Sequence, residues 1–344
     1  GVCKMIIITG GTGYIGSHTT VELINNGYEV VILDNLSNSR LEVLDSIEEI
    51  TGTRPGFFKV DIHDSTELAK VFSQIGEKAK SVIHFAAMKA VGESVEKPLE
   101  YYRNNVGSLI NILDEMQKHQ VQNLVFSSSC TVYGQPDKFP VTEETERKEA
   151  ESPYGNTKAI CEDIMRDTSR VHNLNAISLR YFNPVGAHKS AKIGELPIGA
   201  PNNLVPFVTQ TAAGIREHLT IFGVDYPTED GTCVRDYIHV VDLGKAHLSA
   251  LKRLEGKKAE SKYEVFNIGT GNGSSVLQVI QAFKEATGIE ISYKVGDRRE
   301  GDITQIYADT SLANNALGWK AELSLEEALR SSWEWEKNYR SKKQ

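Results

Sequence analysis

Tyr154 and Lys158 stand four residues apart in Ser152-Pro-Tyr-Gly-Asn-Thr-Lys158. On a helix that spacing puts both side chains on one face. A free phenol titrates at about pH 10 and is a poor base at neutral pH. A lysine cation beside it favours the phenolate. Tyr154 then suits the removal of a proton from a bound hydroxyl. The pair alone is a weak signal, because an exposed helix with one buried tyrosine shows the same spacing.

The features before it add weight. Ile6-Ile-Ile-Thr-Gly10-Gly-Thr-Gly13-Tyr-Ile-Gly16 reads as a strand, a glycine turn and a helix start. Such a turn lets the backbone approach a pyrophosphate, and the helix N-terminus presents free N–H groups to it. The spacing is GxxGxxG rather than GxGxxG, so its context matters. Eighteen residues after Gly16, the run Glu29-Val-Val-Ile-Leu33 ends at Asp34. A carboxylate there accepts both adenosine ribose hydroxyls and repels a 2′-phosphate, which favours NAD over NADP. No Gly-Lys-Ser/Thr follows the turn, so a P-loop is excluded. Asp61 ends a third run, where it reaches an adenine or merely caps a turn. Lys89 follows a fourth, within reach of a cofactor hydroxyl or phosphate; alone, such a lysine is more often solvated. Ser127-Ser-Ser-Cys-Thr-Val-Tyr-Gly134 ends a fifth, at the kind of strand end where open α/β sheets bind ligands.

These residues need a scaffold, and the pattern supplies one. Short apolar runs at Met5–Thr9, Glu29–Leu33, Gly56–Val60, Ser81–Phe85, Asn123–Ser127 and Asn175–Leu179 suit strands buried on both faces. Amphipathic stretches between them include Ser17–Asn26, Ser65–Ile75, Leu99–Lys118 and Tyr154–His172. Alternation of this kind predicts an α/β Rossmann fold, a doubly wound parallel sheet. After Asn183 the chain becomes rich in Pro, Gly and Asn, and a strand at Glu264–Gly269 and a helix at Ser275–Thr287 follow. The expected division is a cofactor domain over 1–183, rejoined by about 236–264, and a smaller mixed α/β substrate domain from 184–235 and 265–344.

Composition narrows the class. The 344 residues carry 38 Lys and Arg against 46 Asp and Glu, a net charge of −8 that disfavours nucleic-acid partners. No apolar run is long enough for a membrane span, and the N-terminal stretch does not read as a signal peptide. Cys3, Cys130, Cys161 and Cys233 form no CxxC pair and have no histidine cluster beside them. No metal site or disulfide framework is therefore expected, and free thiols fit the cytoplasm.

The chain resembles the extended short-chain dehydrogenase/reductase family, and within it the UDP-galactose 4-epimerases. The likeness runs through Gly10–His18, Leu33–Ser39, Ile83–Ser94, Tyr101–Asn105, Phe126–Gly134, Ser152–Lys158, Leu179–His188, Pro201–Leu204, Phe222–His239 and Arg298–Asp302. It implies an isomerase in which Tyr154 is the base, Ser129 shares the bond to the sugar 4-hydroxyl, and Lys158 holds the nicotinamide ribose. It implies NAD contacts from Gly10, Gly13, Tyr14, Ile15, Gly16, Asp34, Asn35, Asn38, Ser39, Asp61, Ile62, Phe85, Ala86, Lys89, Asn104, Tyr154, Lys158 and Tyr181. It implies UDP-hexose contacts from Lys89, Ser129, Thr131, Tyr154, Phe182, Asn183, Asn202, Asn203, Leu204, Thr220, Phe222, Arg235, Arg299, Asp302 and Ile306. A homodimer through Leu99–Lys118 and Tyr154–His172 is also implied. Two arginines suit a diphosphate, because the guanidinium fork binds oxygens in pairs.

The sequence departs from the family at Ala87 (usually glycine), at Val224 and Cys233, and at Ile306, where the bacterial enzyme has tyrosine. The smaller Ile306 is expected to leave space for an N-acetyl group at sugar C2. A sugar-nucleotide 4,6-dehydratase begins with the same oxidation but needs a further acid and base at the strand end. Cys130 and Thr131 stand there instead. A non-catalytic NAD sensor would have no need of Ser129, Tyr154 and Lys158 together.

Overall fold

The computed structural model describes residues 4–343, so Cys3 lies outside the described residues. The strands are β1 Met5–Thr9, β2 Glu29–Asp34, β3 Gly56–Lys59, β4 Ala79–His84, β5 Asn123–Ser129, β6 Asn175–Tyr181, β7 Asn183–Val185, β8 Leu219–Phe222, β9 Val234–His239, β10 Tyr263–Ile268, β11 Gly273–Ser275 and β12 Tyr293–Gly296. The helices are α1 Tyr14–Asn25, α2 Val43–Thr51, α3 Ser65–Ile75, α4 Val91–Glu96, α5 Pro98–Tyr101, α6 Gly107–Lys118, α7 Pro153–Val171, α8 Leu204–Ala212, α9 Val240–Glu255, α10 Val276–Thr287, α11 Ser311–Leu317 and α12 Leu325–Ser341.

Seven strands form one sheet in the order β10-β6-β5-β4-β1-β2-β3, every pair parallel. Side chains alternate across a strand, so each apolar run feeds two cores. Ile6, Ile8, Ile32, Ile83, Val125 and Ile177 pack on one face with Val21 of α1 and Leu243 of α9. Ile7, Val31, Leu33, Val82 and Leu124 pack on the other with Leu68, Leu109 and Met165 of α3, α6 and α7. This is the doubly wound sheet that the alternation predicts. Its order reverses at β1 and β4, and the crevice outside their carboxyl ends is where such sheets bind ligands.

The remaining strands are mixed, as expected. β9 lies between β7, parallel, and β11, antiparallel, while β12 pairs with β8. α8, α10 and α12 close over a third core around Val205, Val208, Phe283 and Leu329. Both α10 and α12 open on capping boxes, Ser275 with Gln278 and Ser324 with Glu327, which satisfy two orphan N–H groups each.

Three details differ from the sequence expectation. The helix expected over Leu99–Lys118 is divided, with a π-helical turn at Tyr102–Val106 between α5 and α6. α1 starts at Tyr14 rather than Ser17, because the chain enters it straight from Gly13. The strand expected from Glu264 is β10 at the edge of the large sheet, so position 264 falls inside that strand.

Candidate active site

The glycine turn closes where β1 meets α1. Gly10 has φ +73, a conformation that favours glycine, and a Cβ there would lie 2.8 Å from the Ala86 nitrogen. A Cβ on Gly16 would fall 2.2 Å from the Gly10 carbonyl oxygen, so only glycine lets the helix start this close to the turn. A Cβ on Gly13 would come within 3.6 Å of the Lys89 Nζ, which places that amine over the turn. Burial pushes Lys89 down, while Asp34 and Glu195 nearby act to raise it.

Asp34 ends β2 nearly buried, at 9 % exposure. Its carboxylate accepts from the Leu36 N–H at 2.9 Å, the Ser39 hydroxyl at 3.2 Å and the Thr12 N–H at 3.4 Å. A carboxylate has about four acceptor sites, so these three bonds leave one for a ribose hydroxyl, and a second ribose hydroxyl would have to replace one of them. Asp61 accepts from the His63 N–H at 3.0 Å, the turn-capping arrangement allowed for above. Asn35 similarly caps Ser37, and both asparagines, Asn35 and Asn38, are exposed. The Tyr14 hydroxyl donates to the Gly186 carbonyl at 2.5 Å and so ties α1 to the smaller unit.

At the end of β5, helix α7 brings its chemistry against the strand. Ser152 caps it by accepting from the Gly155 N–H at 3.2 Å, and Pro153 occupies the first turn. Tyr154 and Lys158 both follow on the buried face. The Lys158 amine donates to the Ser127 carbonyl at 2.7 Å and lies 5.8 Å from the centre of the Tyr154 ring. Burial pushes Lys158 down to about 8. Burial also pushes the Tyr154 phenol well above its ordinary value, with Tyr181 and Cys130 adding to that and only Ser129 opposing it by a hydrogen bond. Lys158 is not among the groups that act on it, so the expected lowering of Tyr154 by Lys158 does not arise in the protein alone. Ser129 accepts from the Thr131 N–H at 3.1 Å and its hydroxyl at 2.9 Å, so Thr131 orients Ser129. Cys130 is pushed up to about 12 by burial, a protonated thiol without use as a base.

Two contributors escape the sequence reading. The Ser127 hydroxyl is buried in β5 beside the Tyr181 hydroxyl, which it acts on through a side-chain hydrogen bond. Asn105, in the π-helical turn, donates to the Met88 carbonyl at 3.0 Å and to Thr157 at 3.2 Å, and accepts from the Met88 N–H at 2.9 Å. It pins the loop carrying Lys89 to α7. Asn104 donates to it at 3.0 Å. Neither shows in apolar periodicity.

The other residues expected to hold a nucleotide sugar all follow β6 in the chain. Arg299 stands 5.0 Å from the centre of the Phe222 ring and grips Asp302 in a two-bond pair at 3.0 and 3.1 Å. Arg235 joins this group, since Arg235, Arg299 and Asp302 all influence the Tyr237 hydroxyl. Arg298 turns away, stacked on Tyr226 and paired with Asp225. Asn203 precedes α8 without capping it, its side chain donating instead to Glu195 at 2.6 Å, and Glu195 is pushed up to about 7, chiefly by burial. Asn202 is exposed beside it. Phe182 and Ile306 are buried in one apolar cluster with Cys130, directly behind the Ser129 strand end.

This arrangement is shared with known proteins. A family model described as GDP-mannose 4,6 dehydratase matches residues 7–332. The UDP-glucose 4-epimerase of Haemophilus influenzae is 51% identical over 97% of both chains. The UDP-glucose 4-epimerase of Mus musculus is 50% identical, again over 97% of each. The solved UDP-glucose 4-epimerase of Stenotrophomonas maltophila, with bound NAD and formylated UDP-arabinopyranose, superposes with a TM-score of 0.94 at 46% identity, covering 98% of this chain and 99% of that one. The chain belongs to the UDP-glucose 4-epimerase family. The enzyme of Bifidobacterium longum, solved with NAD+ and UDP, is also similar, with TM-score 0.93, 45% identity and 97% and 98% coverage. The broad family model takes its description from a dehydratase, and the UDP-glucose 4-epimerase relatives resolve the branch. The protonated Cys130 thiol and the Thr131 hydroxyl agree with them, since neither supplies the further acid and base that dehydration needs.

Proposed function

We propose that this protein interconverts UDP-galactose and UDP-glucose by transient oxidation at sugar C4. The observation that carries this reading is the juxtaposition of Tyr154, Lys158 and Ser129 at the end of β5, with no carboxylate at Cys130 or Thr131. The cradle at Gly10 and Gly16 and the Asp34 carboxylate fit NAD, which Lys89, Lys158 and Tyr181 would help to hold. NAD bound there supplies a reversible hydride acceptor that ends each turnover unchanged. Tyr154 takes the 4-hydroxyl proton as the C4 hydrogen leaves and gives a proton back after the 4-keto sugar has turned over. Ser129, oriented by Thr131, shares the hydrogen bond to that oxygen. Arg235 and Arg299 grip the diphosphate throughout, and Phe222 offers a ring face to the base, so UDP stays anchored while the sugar rotates.

Purified protein given UDP-galactose, without added NAD, should yield UDP-glucose. Tyr154→Phe should lower kcat by about 10³-fold with an unchanged circular dichroism spectrum. An active Tyr154→Phe would remove Tyr154 from the chemistry. Ile306 is the residue that leaves space for an N-acetyl group, so UDP-N-acetylgalactosamine should turn over too. Its survival in an assay that consumes UDP-galactose would exclude that extension.

The large sheet with α9 and β10 is read as the NAD domain, and the rest after Asn183 as the UDP-sugar domain. A homodimer is supported by apolar side chains on the outer faces of the helix pair, Ile110 on α6 at 43 % and Val171 on α7 at 76 % exposure. Light scattering that gave a monomer mass would overturn it. Among the described residues no helix is long and apolar enough to cross a membrane. The buried free thiols Cys130, Cys161 and Cys233 support a cytoplasmic setting.

A further inference from the structure

Behind the reacting face lies a pair of buried charges that the proposed mechanism does not use. Glu162 is on α7, one turn beyond Lys158 and two beyond Tyr154, and is 2 % exposed. Its carboxylate accepts from Arg180 twice, Nη2 at 2.6 Å and Nε at 3.0 Å, and from the Ser128 hydroxyl at 2.6 Å, with the half-buried Arg147 guanidinium 3.5 Å away on its outer side. Ser128 sits between Ser127, whose carbonyl holds Lys158, and Ser129. Arg180 is on β6, directly opposite Ser128. Its Nη1 donates to the Tyr133 hydroxyl at 3.1 Å, which in turn donates to Asn267 of β10 at 2.6 Å. One polar chain thus joins α7, β5, β6, β10 and the Cys130–Tyr133 turn.

A buried ion pair of this kind is a poor stabiliser. Its desolvation cost commonly cancels its attraction, and a well-packed apolar pair of the same volume would serve the fold as well. What it does supply is direction. The guanidinium fork fixes a carboxylate in two bonds, which sets one helix height against the strand.

We infer that Glu162, held by Arg180 and Ser128, is a positioning residue for the reaction: it sets the height of Tyr154 and Lys158 over the Ser127–Ser129 strand end and keeps a negative charge behind the Lys158 ammonium. This rests on the epimerase reading of the same site. The electrostatics agree with the geometry. Burial drives Lys158 down and Lys89 adds to that, while Cys161 and Glu162 are the groups acting the other way. The neighbouring His84 and the Phe126 ring, 5.0 Å from the amine, bring no negative charge.

Three variants of the full-length protein test this. Glu162→Gln keeps the shape and removes the charge. It should lower kcat about tenfold with KM for UDP-galactose within about twofold, and should move the alkaline limb of the kcat profile to lower pH. Ser128→Ala removes one link and should lower kcat about threefold without moving that limb. The double change Glu162→Met with Arg180→Met should keep the thermal midpoint near the parent's and still lose kcat, which a purely structural pair would not do. Wild-type kcat in Glu162→Gln and Ser128→Ala would overturn the proposal. If Glu162→Gln fails to fold, wild-type kcat in Ser128→Ala alone overturns it. Titration of the Lys158 side chain by carbon NMR reads the charge effect without turnover: the midpoint should fall in Glu162→Gln, and an unmoved midpoint would sink the idea. Failure of the parent protein to convert UDP-galactose would instead strike the epimerase reading, and the NMR titration would still decide this one.

Discussion

Charge at two side chains decides how this site binds and reacts. Burial pushes Lys158 down to about 8 by disfavouring its ammonium, and loss of that charge weakens its bond to the Ser127 carbonyl and removes the cation beside Tyr154. Activity should therefore decline as pH rises through about 8, the range in which the amine loses its charge. Tyr154 is shifted the opposite way, so its phenolate depends on a cation close by, and the cofactor's ring is the natural source. At the substrate end Arg299 already has Asp302 as a partner, so a phosphate must compete for the fork. Charge-assisted bonds contribute about 1.5–3 kcal/mol, so Arg299→Met should raise KM for UDP-galactose between about tenfold and a hundredfold. The chemistry at Tyr154 is untouched, and kcat should stay constant. Steady-state kinetics showing a fall in kcat with KM unchanged would remove Arg299 from substrate holding.

Helix starts are the elements on which both ligands depend. α1 can begin beside the glycine turn only because Gly16 has no side chain, given the 2.2 Å separation between its would-be Cβ and the Gly10 oxygen. Neither partner is a flexible side-chain end, so Gly16→Ala must displace α1 or the turn. The cost is that of strained packing, roughly 2 kcal/mol. Protein carrying this change should be purified without tightly held NAD, measured by the nucleotide released on denaturation; full retention would refute the tight-turn account. Elements of this kind were legible in the sequence. β1 reads from the apolar run Met5-Ile-Ile-Ile8, and α3 from the amphipathic stretch Ser65–Ile75. The π-helical turn at Tyr102–Val106 was not legible, because one extra residue in a helix leaves no mark on apolar periodicity. Glu162 and Arg180 were missed for a different reason. A charged residue in a helix reads as solvated until the strand it faces is known. The sites split in the same way: the Gly10 turn and the Tyr154–Lys158 pair are local patterns, whereas Glu195 and the Ser127 hydroxyl matter through chain segments far away in sequence.

Taken as a whole, the molecule buries histidines on α1, β4, β9 and α9. His18 on α1 and His84 on β4 are pushed down to about 3, and His239 and His247, at the start and middle of α9, to about 4, each chiefly by burial. Unfolded histidine titrates at about 6.5, so below that pH the unfolded chain binds protons that the folded chain refuses. Stability from these groups is complete above about 6.5 and is lost as pH falls toward their folded values. Glu195, raised to about 7, and Asp236 and Asp242, also raised, work the opposite way, since the folded chain holds their protons more tightly. That opposition fades once unfolded carboxylates are themselves protonated, which leaves the histidines dominant in acid. His247 isolates the effect. Its Nδ1 bonds the Leu243 carbonyl at 2.9 Å, its Nε2 is buried without a partner, and its ring stacks obliquely on Phe85. His247→Leu removes the proton acceptor and keeps an apolar side chain against Phe85. Urea unfolding at about pH 7 and about pH 4.5 should show that the parent's loss of stability between them shrinks by roughly 2 kcal/mol in the variant. An equal loss in both proteins would mean that His247 charges without unfolding, and that acid sensitivity arises from the other buried groups.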